Sequence, residues 1–375
     1  MTVRACARCL LDTTLASIHF DAAGVCNYCH SHDRLAGYYR RERFRPGALE
    51  RVAATMRRAG EGREYDCIVG VSGGVDSSFV LLTVKDMGLR PLAVHFDNGW
   101  DTDEAVTNIR RITDGLKVDL HTFVVDWQEF RSLQVAFLKA SVPCVETPTD
   151  VGIHGALMRV AAREKIRFII GGQSFATEGT VPREWGYLDG IYIDSVNRAS
   201  GTAALRSFPN VTLSRILHDT LLNGIRQVPL LNYLDYDKVK AREVLTRRFD
   251  WQPYGANHYE NVYSRFASGW LLPRKFHIDK RKVYLSGPVR SGLVAREEAR
   301  RVLAAPPDVS DELASYCVRK LELTPVEFDR IMALPVKSYR DYRTSDAYLR
   351  PFKGIVGAAV GLGLFTPVLY EKYCR

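Results

Sequence analysis

Short apolar runs alternate with longer amphipathic segments from Tyr65 onward, and this pattern predicts an α/β fold. Four runs have the length and composition of buried strands: 65–71, 91–96, 119–126 and 168–173. Before the last of them, Val151–Glu164 carries apolar residues at helical spacing, with Thr149 or Asp150 as the predicted helix cap. Strands separated by helices indicate a parallel, doubly wound sheet, and Val228–Leu234 is predicted as its last edge.

The rest of the chain differs in composition from this alternating region, which spans residues 65–235. Residues 1–35 are rich in cysteine and turn formers, residues 36–64 are predicted to form a charged helical linker, and residues 236–375 are mainly helical and aromatic. The uncharged stretch Gly354–Tyr370 contains several glycines and a proline, and it falls short of a comfortable membrane span. We therefore predict a buried helix that ends near Gly363.

The segment that joins the first strand to its helix has the composition of a phosphate-binding loop. Its glycines permit a tight turn and a close approach of the backbone to an anion, and the N–H groups of the first helical turn then face that anion. Ser72 and Ser77 add hydroxyl donors, and Asp76 either holds a metal ion or orders the loop. The complete loop is Ser72, Gly73, Gly74, Val75, Asp76, Ser77 and Ser78.

This loop lacks the Gly-Lys-Ser/Thr ending of a Walker-type loop. An ordinary turn of small residues explains a bare Ser-Gly-Gly, but not the whole heptad between a strand and a helix. The heptad resembles the SGGxDS loop of the PP-loop ATP pyrophosphatases. The resemblance implies an adenine nucleotide α-hydrolase-like sheet in an enzyme that cleaves ATP between its α- and β-phosphates and adenylates an oxygen of its substrate.

The composition is that of a globular protein, and a net charge of +9 over 375 residues predicts an anionic partner. ATP, a nucleotide-linked sugar and RNA all meet that requirement. The segment Met1–Cys6 has no apolar run typical of a signal peptide, so we expect a cytoplasmic protein. In that compartment the eight cysteines are expected to be thiols or metal ligands.

Four of these cysteines form two Cys-x-x-Cys pairs, Cys6 with Cys9 and Cys26 with Cys29. Two such pairs at this separation predict a structural zinc site with four thiolate ligands. Zinc would stabilise a segment that is too small to build its own core. An iron–sulfur cluster and four free cysteines stay open as alternatives.

Several segments together point to one family. They are the opening Cys-Ala-Arg-Cys, the Phe20–Cys29 segment, the loop, a His-Tyr-Glu segment at 258–260, and Phe276-His277-Ile278-Asp279-Lys280-Arg281. In this order they resemble the N-acetyl sugar amidotransferases of bacterial surface-polysaccharide and nonulosonic-acid biosynthesis. The resemblance implies that ATP and ammonia turn a sugar acetamido group into an acetamidino group, with release of AMP and pyrophosphate.

The resemblance, read together with the predicted fold, suggests further site residues. With the loop and Mg²⁺, the ends of the second and fourth strands are expected to bind ATP through Asp97, Gly171, Gly172 and Gln173. Beside Ser72 and Asp76, Asp150 and His154 are catalytic candidates, because they lie one helical turn apart and either could act as a base on incoming ammonium. Helix capping is an alternative for Asp150. The candidates for binding the sugar nucleotide are His258, Glu260, Arg265, Lys275, Lys280 and Arg281, for which surface salt bridging is the alternative.

No domain remains in this chain for a glutaminase, so ammonia is expected from a separate glutaminase subunit. The resemblance suggests one like the glutaminase of imidazole glycerol phosphate synthase, with a cyclase-like barrel subunit as a further partner.

Two rival functions are a PP-loop sulfur transferase, which thiolates tRNA or a small molecule, and an RNA-binding protein that uses the cysteine pairs. Sulfur transfer needs catalytic cysteines, but Cys67 lies in a strand and Cys144 has no Cys-x-x-Cys partner. The intact loop disfavours a protein that only binds RNA, so nucleic acid is not the expected partner.

Overall fold

A computed structural model describes residues 3–43, 45, 47–255 and 259–374 of the chain. Its centre is a parallel sheet of five strands in the order β3-β2-β1-β4-β5. The strands are Cys67–Gly70 (β1), Pro91–Asp97 (β2), Leu120–Val124 (β3), Phe168–Gly171 (β4) and Arg226–Pro229 (β5). The predicted α/β class and parallel sheet are confirmed.

Helices cover both faces of the sheet and build the C-terminal part of the chain. Up to the last strand they are Asn27–Arg43 (α1), Ala48–Ala59 (α2), Val75–Asp86 (α3), Asp103–Leu116 (α4), Trp127–Ala140 (α5), Thr147–Arg163 (α6), Phe175–Glu178 (α7), Gly190–Ser200 (α8) and Leu213–Leu221 (α9). After it come Lys238–Phe249 (α10), Val262–Phe266 (α11), Arg281–Arg290 (α12), Arg296–Ala304 (α13), Asp311–Lys320 (α14), Pro325–Ala333 (α15), Asp346–Leu349 (α16), Lys353–Gly361 (α17) and Pro367–Tyr373 (α18). A π-helical segment, Ala267–Phe276, separates α11 from α12.

Successive residues of β1 show why both faces are covered. Ile68 packs with Met158 of α6 in one apolar cluster, whereas Val69 joins a second cluster with Val80 of α3 and Ile109 of α4. Side chains alternate between the faces of a strand, so a strand that is apolar at every position needs helices on both sides. The order of the strands brings the loop after β1 to the middle of the sheet's carboxyl edge.

Two predicted boundaries in this region are wrong. The last strand is Arg226–Pro229, and Leu230–Tyr233 forms a 3₁₀ helix instead of continuing the edge. Helix α6 begins at Thr147, after Glu146, so neither Thr149 nor Asp150 is its cap. Pro148 explains the earlier start, because proline fits the first turn of a helix, where no backbone donor is required.

The two ends of the chain also differ from the expectation. The predicted boundary between residues 35 and 36 lies inside α1, which begins between Cys26 and Cys29. Helix α17 has no buried residue, with Ile355 66% exposed, so the prediction of a buried helix there is wrong. Among the described residues, no helix combines the length and the apolar character that a membrane crossing requires.

Candidate functional site

The loop between β1 and α3 is held in a tight turn by its own hydroxyl groups. The Ser72 and Ser77 hydroxyls lie 3.2 Å apart, and the Gly74 N–H donates to the Ser72 hydroxyl at 3.4 Å. Gly74 precedes α3, and no side chain among the described residues caps this end of the helix. The uncapped N–H groups and the positive end of the helix dipole suit an anion of the size of a phosphate group.

The glycines of the loop are required by close packing. Gly73 has a φ of +77°, and a Cβ atom there would overlap the carbonyl oxygen of Ala105 in α4. At the end of β4, a Cβ atom on Gly172 would lie 3.0 Å from the backbone of Asp76 and Ser77. The carboxyl end of β4 therefore lies directly against the loop, as a doubly wound sheet requires.

Gly73→Ala is expected to strain the loop, displace α4 and weaken ATP binding. A left-handed alanine costs about 1–2 kcal/mol before the overlap with Ala105 is counted. Gly88→Ala is the matched control, because Gly88 also has a positive φ, +72°, but it lies after α3, and a Cβ atom there would have no neighbouring atom within 4 Å. Thermal unfolding and ATP titration of both variants test this, and equal losses in the two would contradict the assigned role of Gly73.

Asp76, in the first turn of α3, is held by two residues that follow β5. It accepts a hydrogen bond from the hydroxyl of Tyr236 and pairs with Lys238, whose Nζ lies 2.7 Å from the carboxylate. No local sequence pattern pointed to Tyr236 or Lys238. Carboxylate and hydroxyl oxygens are ligands that Mg²⁺ accepts, so Asp76 and the loop serines fit a metal–nucleotide site, with the Lys238 cation beside it.

Residues around Glu260, in the C-terminal part of the chain, pack beside the loop. The Thr102 N–H donates to the backbone carbonyl of Glu260 at 3.0 Å, and the Val262 N–H donates to that of Trp100 at 2.8 Å. A Cβ atom on Gly74 would lie 3.0 Å from the Tyr254 hydroxyl and 3.5 Å from a Glu260 carboxylate oxygen. The prediction that Glu260 belongs to the site is consistent with this position, whereas His258 lies outside the described residues.

The other predicted nucleotide ligands also lie at the carboxyl edge of the sheet. Asp97 ends β2, and its carboxylate accepts a hydrogen bond from the Gly99 N–H at 2.8 Å, so it shapes the turn after the strand. Gly171 ends β4 beside Gly172, and Gln173 follows with an exposed side chain.

A second group of charges, which we call the charged cluster, comprises Glu146, Asp150, Lys280, Tyr284 and Lys372. The buried Lys280 forms an ion pair with Glu146 just before α6. Burial opposes the charge of Lys280, but the Glu146 carboxylate outweighs it and raises the pKa of Lys280 above its ordinary value. Burial lowers the pKa of Lys372 to about 8, although the carboxylate of Asp150 acts in the opposite direction. Lys372, from α18, was not singled out in the sequence.

The charged cluster lies near the carboxyl end of β4, because α12, which contains Tyr284 and directly follows Lys280, packs against the end of α7: a Cβ atom on Gly287 would lie 2.5 Å from the Gly179 nitrogen. Burial, with the Glu178 carboxylate among the neighbouring charges, raises the pKa of Tyr236 beside the loop and of Tyr284 in the charged cluster. Glu178 belongs to α7, the helix after β4. The phosphate-binding loop, which packs against Gly172, and the charged cluster therefore both lie near the carboxyl end of β4.

Three cations that were predicted to bind the sugar nucleotide form hydrogen bonds within the protein. The Lys275 ammonium donates to three backbone carbonyls at the end of α15, at 2.8–3.0 Å. Arg281 pairs with Asp279 at 2.7 Å and donates to the carbonyl of Ala305. Arg265 donates to the carbonyl of Asp308 at 3.2 Å. These contacts favour structural roles over binding of a sugar nucleotide, because the guanidinium and ammonium groups stabilise loops and helix ends.

His154 lies one turn beyond Asp150 on α6, as predicted, but it faces the edge strand. The side-chain amide of Gln227 in β5 lies 2.8 Å from its Nδ1 atom. Burial lowers the pKa of His154 to about 4, so the imidazole is neutral at physiological pH. His154 thus contacts the sheet, whereas the exposed Asp150 belongs to the charged cluster.

The four paired cysteines come together at the N-terminal end of α1. The sulfur atoms of Cys6 and Cys29 lie 3.8 Å apart, and those of Cys9 and Cys26 lie 3.7 Å apart. All four side chains are fully buried, and their sulfur atoms lie within 4.8 Å of one another. A tetrahedral zinc site with Zn–S bonds of about 2.3 Å places its sulfur atoms about 3.8 Å apart, so this group fits zinc.

The fold and the loop define the class of protein: an α/β protein with a five-stranded parallel sheet, a glycine-rich loop after β1, a buried cluster of four cysteines and a mainly helical C-terminal part. Residues 260–355 match the family model described as LPS biosynthesis protein WbpG-like, C-terminal domain. This match confirms, over that part of the chain, the predicted resemblance to proteins of surface-polysaccharide biosynthesis.

Three further proteins show partial or distant similarity to this chain. An uncharacterized protein of Methanocaldococcus jannaschii is 34% identical over 85 residues, which span 22% of this chain and only 30% of that protein. Among solved structures, the NH3-dependent NAD synthetase of Campylobacter jejuni is 14% identical, with a TM-score of 0.27 over 60% of this chain and 94% of its own. The NMN synthetase of Francisella tularensis is 12% identical, with a TM-score of 0.27 over 64% of this chain and 94% of its own.

Proposed function

We propose that this chain is an ATP-dependent amidotransferase that converts the acetamido group of an N-acetyl sugar into an acetamidino group. The observation that carries the proposal is the placement of two polar regions near the carboxyl end of β4. The loop offers an uncapped helix start and hydroxyl groups for phosphates, and the charged cluster offers cations and a carboxylate for a polar acceptor. The match of residues 260–355 to a WbpG-like domain supports a sugar as that acceptor.

In the first step of the proposed reaction, the acetamido oxygen attacks the α-phosphorus of ATP. An O–P bond forms, the bond to the β-phosphate breaks, and pyrophosphate leaves. We assign the loop and Lys238 to the phosphates, and Asp76 to a Mg²⁺ ion that neutralises their charge. The product, an O-adenylyl imidate, has an activated carbon and a good leaving group.

In the second step, ammonia attacks the imidate carbon, a C–N bond forms and the C–O bond breaks. AMP leaves with the oxygen of the original amide, and the sugar keeps an amidine that is protonated at neutral pH. We assign Asp150 to this step, since an exposed carboxylate beside the charged cluster can accept a proton from ammonium and pair with the cationic amidine. Lys280 and Lys372 are assigned to anionic groups of the acceptor.

The proposal includes a structural zinc ion at the four cysteines and a cytoplasmic reaction, where ATP is available. It divides the chain as the sequence suggested: residues 1–35 bind zinc, residues 36–64 link, residues 65–235 bind ATP and residues 236–375 face the acceptor.

The isolated chain should therefore form AMP and pyrophosphate from ATP when it is given Mg²⁺, ammonium and a panel of nucleotide-activated N-acetyl sugars. Stoichiometric ADP would contradict the proposed reaction.

Ammonium, but not glutamine, is expected to support turnover by the isolated chain. We propose that a separate glutaminase delivers neutral ammonia through a channel, because the bulk solvent holds little free ammonia at neutral pH. High ammonium at alkaline pH should replace the partner, and addition of the correct glutaminase should restore glutamine-driven turnover at neutral pH. Glutamate release by the isolated chain at the rate of turnover would show that no partner is needed.

Cys144→Ser is expected to leave amidation almost unchanged, and this separates our proposal from sulfur transfer. The thiol of Cys144 is 1% exposed and accepts a hydrogen bond from the Tyr187 N–H at 3.4 Å. Burial raises the pKa of Cys144 to about 11, so the thiol stays protonated and is a poor nucleophile at neutral pH. A sulfur transferase that used this cysteine would lose all activity in the variant, as measured by thiolated product.

A further inference from the structure

Helix α12 contacts the metal centre with one face. Lys282, Ser286 and Arg290 are spaced four residues apart, so they lie on the same side of the helix. The Lys282 ammonium pairs with Asp12 at 2.6 Å, and the Ser286 hydroxyl accepts a hydrogen bond from the Leu10 N–H at 3.2 Å. This face therefore holds the loop that carries the first cysteine pair.

Arg290 reaches the sulfur atoms themselves. Its Nε atom donates to the Cys29 sulfur at 3.4 Å and its Nη2 atom to the Cys9 sulfur at 3.2 Å. The side chain is 7% exposed, and its backbone carbonyl accepts a hydrogen bond from the Arg8 guanidinium at 3.1 Å. One sulfur atom of each cysteine pair thus accepts a hydrogen bond from the same buried guanidinium.

The charge of the centre explains why a cation is needed there. Four thiolates around a divalent ion leave a net charge of −2, and a buried charge is costly unless it is paired. One guanidinium halves that charge, and its planar fork donates to two sulfurs at once, which the single ammonium group of lysine does less well.

The other side of α12 belongs to the charged cluster. Lys280 immediately precedes the helix and Tyr284 lies in its first half, one turn further on. Gly287 packs against Gly179, and a Cβ atom on Gly287 would lie 3.0 Å from the Gly179 Cα. Because Gly179 directly follows α7, this close contact fixes the position of α12 relative to the end of β4.

We propose that Arg290 is the counter-cation of the four-cysteine metal centre, and that metal binding positions α12 and, through it, Lys280 and Tyr284. Arg290 is a positioning residue and does not touch substrate. The assignment of Lys280 to the acceptor rests on the proposed function. The role of Arg290 towards the metal does not.

Zinc release from purified, zinc-loaded protein to a chromogenic chelator tests the first part. Arg290→Met is expected to weaken zinc binding about 10–100-fold, the usual cost of losing an outer partner of a metal ligand. Arg290→Lys should show a smaller loss and keeps the test informative if the methionine variant does not fold. Lys282→Met is the matched control, because it removes a contact of the same face without touching a sulfur atom. Equal zinc release from wild type and both Arg290 variants would overturn the counter-cation role.

Amide hydrogen exchange tests the second part without any assay of activity. Removal of zinc from the wild-type protein should speed exchange in α12, while α3 beside the nucleotide loop stays protected. Unchanged exchange in α12 after zinc removal would overturn the positioning role. Because neither readout uses turnover, a failure of the proposed amidotransferase reaction would be recognised separately, by the absence of AMP.

Discussion

Asp76→Asn is expected to reduce ATP-dependent turnover by at least about 100-fold, which is the usual scale for removing one electrostatic partner of a transition state. Asparagine keeps the shape of the side chain but not its charge, and Mg²⁺ requires strong oxygen ligands such as a carboxylate. Asp76 lies in the first turn of α3, next to the uncapped helix start that we assign to the phosphates. Turnover is measured as AMP and pyrophosphate formed at saturating ATP and ammonium.

The ion pair of Asp76 with Lys238 supplies the control. Lys238→Met breaks the same pair, whose side chains are 15% and 23% exposed, but it leaves the carboxylate in place. We expect Lys238→Met to raise the KM for ATP and to keep the dependence on Mg²⁺, whereas Asp76→Asn should lose that dependence. Both variants should keep a cooperative thermal transition. If Asp76→Asn has none, Asp76 is structural and its assignment to the metal–nucleotide site is wrong.

Loss of the metal is expected to have the largest effect on stability. Structural zinc contributes about 10–16 kcal/mol of binding free energy in small zinc modules, and that energy is available only to the folded state. The apolar cluster around the centre is small, and the four cysteines themselves are part of it, together with Leu11, Leu272 and Ile278. Cys26→Ser, or a strong chelator, should therefore unfold the cysteine-bearing segment before α1 and lower the thermal stability before ATP binding is affected.

Cys317→Ser is the matched control for the metal variant. Cys317 is also fully buried, but it lies in α14, away from the four-cysteine centre, and the change should cost only about 1–3 kcal/mol. Elemental analysis should find about one zinc per chain in the wild type and in Cys317→Ser, and much less in Cys26→Ser. Iron in the purified protein, or folded protein without metal, would contradict the zinc assignment.

Much of this architecture can be predicted from local sequence. β1, β2 and β4 are largely buried, so their apolar runs are distinct, whereas β3 keeps the alternating burial of an edge strand. The Ser72–Ser78 loop has its composition dictated by backbone geometry. The cysteine spacing likewise predicts the metal centre, because four ligands must reach one point. These features depend on residues that are close together in the chain.

Features that depend on tertiary contacts could not be predicted from local sequence. The partners of Asp76 are Tyr236 and Lys238, which are 160 and 162 residues away, so no local pattern connects them. Lys275 and Arg281 have the charge of phosphate ligands, but that same charge suits backbone carbonyls at the ends of helices. Arg290 falls in a helix with mixed composition, and only the folded chain shows that it reaches two cysteine sulfurs.

The path of the acetamido oxygen is the most direct test of the central claim. The chain is incubated with ATP, Mg²⁺, ammonium and a nucleotide-activated N-acetyl sugar whose acetamido oxygen carries a heavy isotope. Our account predicts that the label appears in the phosphate group of AMP, in an amount equal to the acetamidino sugar that is formed, with unlabelled pyrophosphate. A labelled sugar recovered unchanged while ATP is consumed, or label found in water or inorganic phosphate, would contradict adenylation of the acetamido group.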